Sequence, residues 1–178
     1  MKSYRSHYSM DVTNKEYGKS ITVAGWIEDI RNIGSIAFII LRDRKGTLQV
    51  TALKKENPEL FEKIVKIPRE SVIVVNGECK KSDKARNGFE VIPKELEILS
   101  SAETPLPLGV VDKVESELET RLDNRFIDLR KQEIQAIFRI RNKVIEAIHE
   151  YLRKNNFIEV HTPILLRAPQ KVELIFLS

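Results

Sequence analysis

Hydrophobic and polar positions alternate along the first hundred residues, and the period then lengthens. Ser20 to Arg31 is predicted as a strand, because Ile21, Val23, Gly25 and Ile27 alternate with Thr22, Ala24, Trp26 and Glu28. Asn32 to Ser35 is a predicted turn, with Gly34 free to take a positive φ. Ile36 to Arg42 follows as a second strand, apolar throughout and therefore expected to be covered on both faces. Asp43 to Gly46 reads as a hairpin loop, and Thr47 to Leu53 as a third strand. Asn57-Pro58-Glu59 then places an N-cap, an N1 proline and an acid in the order that starts a helix. Leu60, Phe61, Ile64 and Val65 give that helix one apolar face, and Pro68 ends it. Two more strands are expected at Ser71 to Lys80 and Gly88 to Leu99, separated by a basic loop.

Beyond residue 101 the strand rhythm stops. Glu103-Thr104-Pro105-Leu106-Pro107-Leu108-Gly109 is stiff and turn-prone, which marks residues 102–130 as a hinge or linker. A long helix is predicted from Glu133 to Lys154, where Ile134, Ile137, Phe138, Val144, Ile145, Ile148, Tyr151 and Leu152 recur at helical spacing. Asn155-Asn156 is suited to end it, since Asn tolerates the left-handed cap geometry. Phe157 to Val160 reads as a strand entering Thr162-Pro163. A helix of this length needs a partner for its apolar stripe. Little chain is left to supply one, which points to an incomplete molecule or to pairing with a second copy.

Five strands with one helix between the third and fourth is the order of an OB-fold, a small barrel that binds oligonucleotides. Another small β-barrel or a sandwich fits the pattern too. Composition narrows the class without deciding it. An apolar fraction of 42% fills a globular core, and 31% charge keeps the surface wet. No apolar run approaches the length of a membrane span, and the N-terminus lacks the apolar stretch of a signal peptide. The single cysteine, Cys79, has no partner for an internal disulfide, and three scattered histidines suggest no metal site. A reducing, cytoplasmic setting is the resulting expectation. Residues 1–100 hold 18 Lys and Arg against 14 Asp and Glu, so the whole net charge of +4 sits there. That excess suits a polyanion partner and equally suits a solvated basic surface.

Specific motifs carry the reading further. Arg121 to Arg130 (RLDNRFIDLR) resembles the entry segment of aspartyl-, asparaginyl- and lysyl-tRNA synthetases. Asn155 to Pro163 (NNFIEVHTP) resembles motif 1 of class II synthetases. Tyr4 to Tyr8, Val23 to Trp26, Leu41 to Asp43 and Glu103 to Pro107 are similar to the archaeal and eukaryotic aspartyl branch. The resemblance runs from about Tyr4 to Pro163. It implies an OB-fold anticodon-binding domain over 1–101, a hinge over 102–130, and the start of a class II catalytic domain over 131–178. It also implies tRNA-Asp as partner, and a homodimer interface through Ile137, Phe138, Ile145, Ile148 and Pro163. ATP and Mg²⁺ serve the full-length family through motifs 2 and 3. None of those motifs occurs in these residues, so no catalytic residue and no cofactor of this chain is assigned, and the chain alone is expected not to ligate.

The resemblance further implies three anticodon-reading residues. Phe38 matches the aromatic that stacks on the middle base, Gln49 the amide that hydrogen-bonds it, and Arg31 a basic contact. The chemistry is consistent: an unpaired base stacks on an aromatic face and is read along its edge. Taken alone, Phe38 passes for a core aromatic, Gln49 for an exposed strand residue and Arg31 for a solvated strand end. Lys80, Lys81, Lys84 and Arg86 in the loop before the fifth strand are candidates for RNA backbone contact, or a solvated charge run. Trp26 could stack on a base but fits packing better, and Cys79 is assigned to an inert strand position. After Pro163 the chain departs from the family pattern, as though truncated or remodelled, and Asn156 stands where a glycine is usual. An asparaginyl or non-discriminating Asp/Asn enzyme remains an alternative, as does a free-standing RNA- or partner-binding protein.

Overall fold

The computed structural model describes residues 4–83, 85–111 and 116–162. The chain divides into two compact units, residues 1–128 and 129–178. In the first unit, five strands close a barrel in the order β1-β2-β3-β5-β4. They are β1 (Ser20–Ile33), β2 (Ile36–Arg42), β3 (Thr47–Leu53), β4 (Val72–Lys81) and β5 (Phe89–Ser100). Helix α1 (Pro58–Val65) lies between β3 and β4, the arrangement expected of an OB-fold.

Closure depends on β1, which is long enough to pair with two neighbours. Its first half, Ser20 to Trp26, runs antiparallel to β4, and its second half, Trp26 to Ile33, runs antiparallel to β2. The hand-over is sharp because a bulge between Ile27 and Asp29 bends the strand. Gly25, just before the hand-over, lets the backbone of β2 come close. A Cβ there would sit 2.2 Å from the Arg42 carbonyl oxygen, so no side chain fits. At the β1–β2 turn Gly34 takes the expected left-handed conformation, φ +67°.

The interior is filled by inward residues of all five strands, among them Ile21, Val23, Ile39, Val50, Ile73, Val75 and Val91. Phe61 and Ile64 of α1 join that core, and Val12 reaches it from the N-terminal segment. The helix starts as its sequence requires: the Asn57 side chain accepts a hydrogen bond from the Leu60 N–H at 3.0 Å, and Pro58 occupies N1. Between α1 and β4, Glu70 adopts φ 64° and its buried carboxylate receives two 2.8 Å hydrogen bonds from Arg42. Cys79 is fully buried, and desolvation pushes its thiol above the ordinary range.

Three expectations are corrected. Strand β2 is covered on one face only: Ala37, Ile39 and Leu41 are buried, whereas Ile36, Phe38 and Ile40 are half-exposed. Its unbroken apolar run therefore hides an ordinary alternation. Residues 102–130 are not all linker, since α2 (Leu118–Asp123) and α3 (Arg125–Asp128) form there. They are pinned by Asp128, a fully buried carboxylate paired with Arg121 at 3.0 Å and with Arg125. Phe157 to Val160 forms no strand; these residues are exposed, and no strand pairs with them among the described residues.

In the second unit α4 spans Gln132–Lys154. Asn156 takes φ 64°, its N–H bonding to the Arg153 carbonyl while Phe157 bonds back to Leu152, so the left-handed cap forms at the expected place. No helix among the described residues is long and apolar enough to cross a membrane.

Candidate nucleic-acid interface

The outward faces of β1, β2 and β3 form an open groove of about 430 Å³. Ladder register decides which side chains share it. Arg31 pairs with Phe38, and Phe38 with Thr51, giving one row across the three strands. Asp29 pairs with Ile40, and Ile40 with Gln49. Gln49 in turn pairs with Glu90 through the short parallel contact of β3 with β5, which completes a second row. Adjacent rows on one face lie two residues apart, the repeat of a pleated strand. Arg31, Phe38 and Gln49 therefore converge although 18 positions separate the first from the last.

Gln49 is held rather than loose. Its Nε2 donates to Glu90 Oε2 at 2.9 Å and to the Thr51 hydroxyl at 3.2 Å, and Thr51 donates to the same carboxylate oxygen at 2.6 Å. A carboxylate only accepts, so the nitrogen of the amide must face Glu90. The amide oxygen of Gln49 is left to accept from a ligand. Phe38 lies beside it, half-exposed, with Ile40 and the exposed Ile33 completing an apolar floor.

Arg31 marks the cationic rim. Its side chain is 75% exposed, yet its Nε is anchored on Asp29 at 3.0 Å. The other oxygen of Asp29 takes Arg69 at 2.6 Å, so one carboxylate holds two guanidinium groups at the edge of the groove. At the far side Arg86 and Asn87 of the β4–β5 loop line the groove, and Asn87 donates to the Thr47 carbonyl at 2.6 Å, tying that loop to β3.

The other candidates are placed differently. Lys80 and Lys81 end β4 outside the groove lining, with Lys81 over the ring of Tyr17 at 5.5 Å. Lys84 lies outside the described residues. Trp26 is half-buried at the hand-over in β1 and does not line the groove. On α4, Ile137, Phe138, Ile145 and Ile148 are exposed in this chain, and Pro163 lies outside the described residues. Sequence reasoning missed Thr51, Asp29 and above all Glu90. The signal for Glu90 was parity: it precedes the core residue Val91, so it had to face outward. No group of three or more His, Cys, Asp or Glu side chains that could hold a metal occurs among the described residues.

A closed five-strand barrel with one helix between β3 and β4 is an OB-fold, and sequence relationships agree. Residues 21–99 match the OB-fold nucleic acid binding domain family, and residues 117–174 match the class II tRNA synthetases of the D, K and N type. The chain is 47% identical over 161 residues to the aspartate–tRNA(Asp) ligase of Thermococcus kodakarensis, covering 90% of this chain and 37% of that protein. It is 49% identical over 162 residues to the aspartate–tRNA(Asp/Asn) ligase of Methanosarcina acetivorans, covering 89% and 36%. The crystal structure of asparaginyl-tRNA synthetase from Pyrococcus horikoshii superposes with a TM-score of 0.79 at 30% identity, over 90% of this chain and 38% of that one. The chain belongs to the class II tRNA synthetase family of the D, K and N type. Within it, these residues correspond to the N-terminal, anticodon-binding portion of the archaeal-type aspartate–tRNA ligases, little more than a third of the length of those relatives.

Proposed function

We propose that the groove reads the anticodon of tRNA-Asp, as part of an enzyme that joins aspartate to its tRNA at the expense of ATP. The observation that carries this reading is the shared face of Phe38, Gln49 and Arg31. The middle anticodon base stacks on Phe38, and its edge N–H is accepted by the Gln49 amide oxygen that Glu90 and Thr51 leave open. Arg31 faces the neighbouring phosphate or base, and Arg86 the backbone on the other side. The apolar stripe of α4 pairs with the same stripe of a second copy. These 178 residues alone do not ligate, since they include neither motif 2 nor motif 3. Aspartylation above background by the purified chain would overturn that part.

The deciding experiment is binding of an aspartate-type anticodon hairpin at fixed salt, against a hairpin changed only at its middle base. Preference for the first, abolished by Phe38→Ala, is the expected result. Equal, salt-sensitive binding of both would leave a basic barrel that does not read the anticodon. A second reading follows from the relatives, some of which are named for tRNA(Asp) and others for tRNA(Asp/Asn). Changing the third anticodon base separates the two, because only a discriminating reader loses affinity.

A further inference from the structure

The N-terminal segment carries a feature the groove does not use. It is fastened to the barrel at two points. Ser6 bonds to Thr22 through both its N–H and its hydroxyl, at 2.8 and 3.1 Å. Three residues on, Ser9 donates its N–H and its hydroxyl to the Asp43 carboxylate at 2.6 and 2.8 Å. Between the two anchors Tyr8 is laid against the β2–β3 turn, Asp43 to Gly46. Three cations surround its ring: Arg5 at 4.7 Å, Arg44 at 4.6 Å and Lys45 at 5.0 Å from the centroid.

Like charges gathered at one ring repel, so the neighbouring acids matter. Asp43 is fully engaged by donors of its own turn and of Ser9, including the N–H groups of Lys45 at 2.7 Å and Gly46 at 3.1 Å. Asp11 is taken by Lys45 at 2.6 Å, a hydrogen bond that holds its carboxyl below the ordinary range. Arg44 has no carboxylate partner among the described residues, and it is exposed. An aromatic face fixes a guanidinium without neutralising it, so the charge is positioned and still available.

Its place in the fold says for what. Arg44 lies six residues along the chain from Phe38, roughly 15–20 Å at strand rise, beyond reach of a base stacked there. The turn that bears it leads directly into Thr47, which lines the groove and is bonded to Asn87. We propose that the Tyr8–Arg44 pair is a phosphate-binding site for the RNA backbone where it leaves the groove at its Thr47 end. The partner, though not the site, rests on the anticodon reading given above.

The test titrates the full chain with the aspartate-type hairpin across a range of salt. Arg44→Ala is expected to weaken binding roughly fivefold at 0.1 M salt and to make the log–log salt slope shallower by about 0.7, the signature of one lost phosphate contact on a single strand. Arg44→Lys should keep the slope, and Tyr8→Leu should show part of the affinity loss, because the charge remains without its hold. The cost of changing the middle base should be the same in Arg44→Ala as in the unaltered chain. A melting curve for each variant separates loss of contact from loss of fold, with Arg44→Gln replacing any variant that does not fold. Unchanged affinity and slope in folded Arg44→Ala would overturn the proposal. An Arg44 effect seen with a poly-glutamate peptide and absent with the hairpin would overturn it too, in favour of an acidic protein. A shallower slope in a chain without base preference would sink the anticodon reading and leave the phosphate site standing.

Discussion

At the scale of single residues, side chains proposed to bind stand apart from side chains proposed to position them. Phe38 is partly exposed on the open face and lies outside the buried core cluster, so its removal should weigh on binding more than on folding. Phe38→Ala is expected to cost about 1–3 kcal/mol of hairpin affinity and all preference for the middle base, with a small change in melting temperature. Glu90 acts through another group. It accepts from Gln49 and from Thr51 on one oxygen, and that pattern dictates which end of the amide faces the ligand. In Glu90→Gln the new amide can donate or accept, so Gln49 is free to turn over. The expected outcome is a loss of roughly 1 kcal/mol in discrimination at the middle base, with overall affinity changing less. If discrimination survives Glu90→Gln unchanged, the orientation of Gln49 is set by something other than this network. Cys79 illustrates the opposite case. Buried in β4 with its thiol pushed up, it should resist alkylation by iodoacetamide at neutral pH until denaturant is added.

At the scale of elements, the barrel is most exposed to damage where strands cross closely. A methyl group at Gly25 would meet the Arg42 carbonyl, a backbone atom that has no rotamer to yield. Gly25→Ala should therefore destabilise by roughly 1–3 kcal/mol or more, read from urea denaturation. Asn57→Ala, which removes only the cap of α1, should cost about 1 kcal/mol in the same experiment. Elements of this kind were legible in the sequence because their determinants are local: alternation for the strands, Asn-Pro-Glu for the start of α1, tandem asparagines for the end of α4. What stayed hidden depends on distant neighbours. The apolar run of β2 looked two-sided because its open face carries Phe38 and Ile40, apolar residues that a periodicity argument assigns to a core. Helices α2 and α3 are too short for a period to show, and the buried Asp128 pairs that hold them bring together residues across a turn. Glu90 reaches Gln49 only through the parallel contact of β3 with β5, a pairing that no short-range pattern encodes.

At the scale of the whole molecule, the two units raise different demands. The barrel buries its apolar surface within itself and needs nothing further. Helix α4 does not: Ile137 is 59% exposed, Phe138 42%, Ile145 45% and Ile148 52%, along a stripe roughly 17 Å long. Apolar surface on that scale seeks cover, and a stripe that repeats on every copy is self-complementary about a two-fold axis. Sedimentation of the chain at tens of micromolar is therefore expected to show a species of twice its 20.6 kDa mass. Ile145→Asp combined with Ile148→Asp places two carboxylates in the middle of the stripe, where pairing would bury them against apolar side chains of the other copy. That variant should sediment as a monomer. Because the substitutions lie in the second unit, hairpin binding by each copy should keep its affinity and its dependence on Phe38. A monomer for the unaltered chain, or an unaltered dimer in the double variant, would mean that α4 is covered by something other than its own copy.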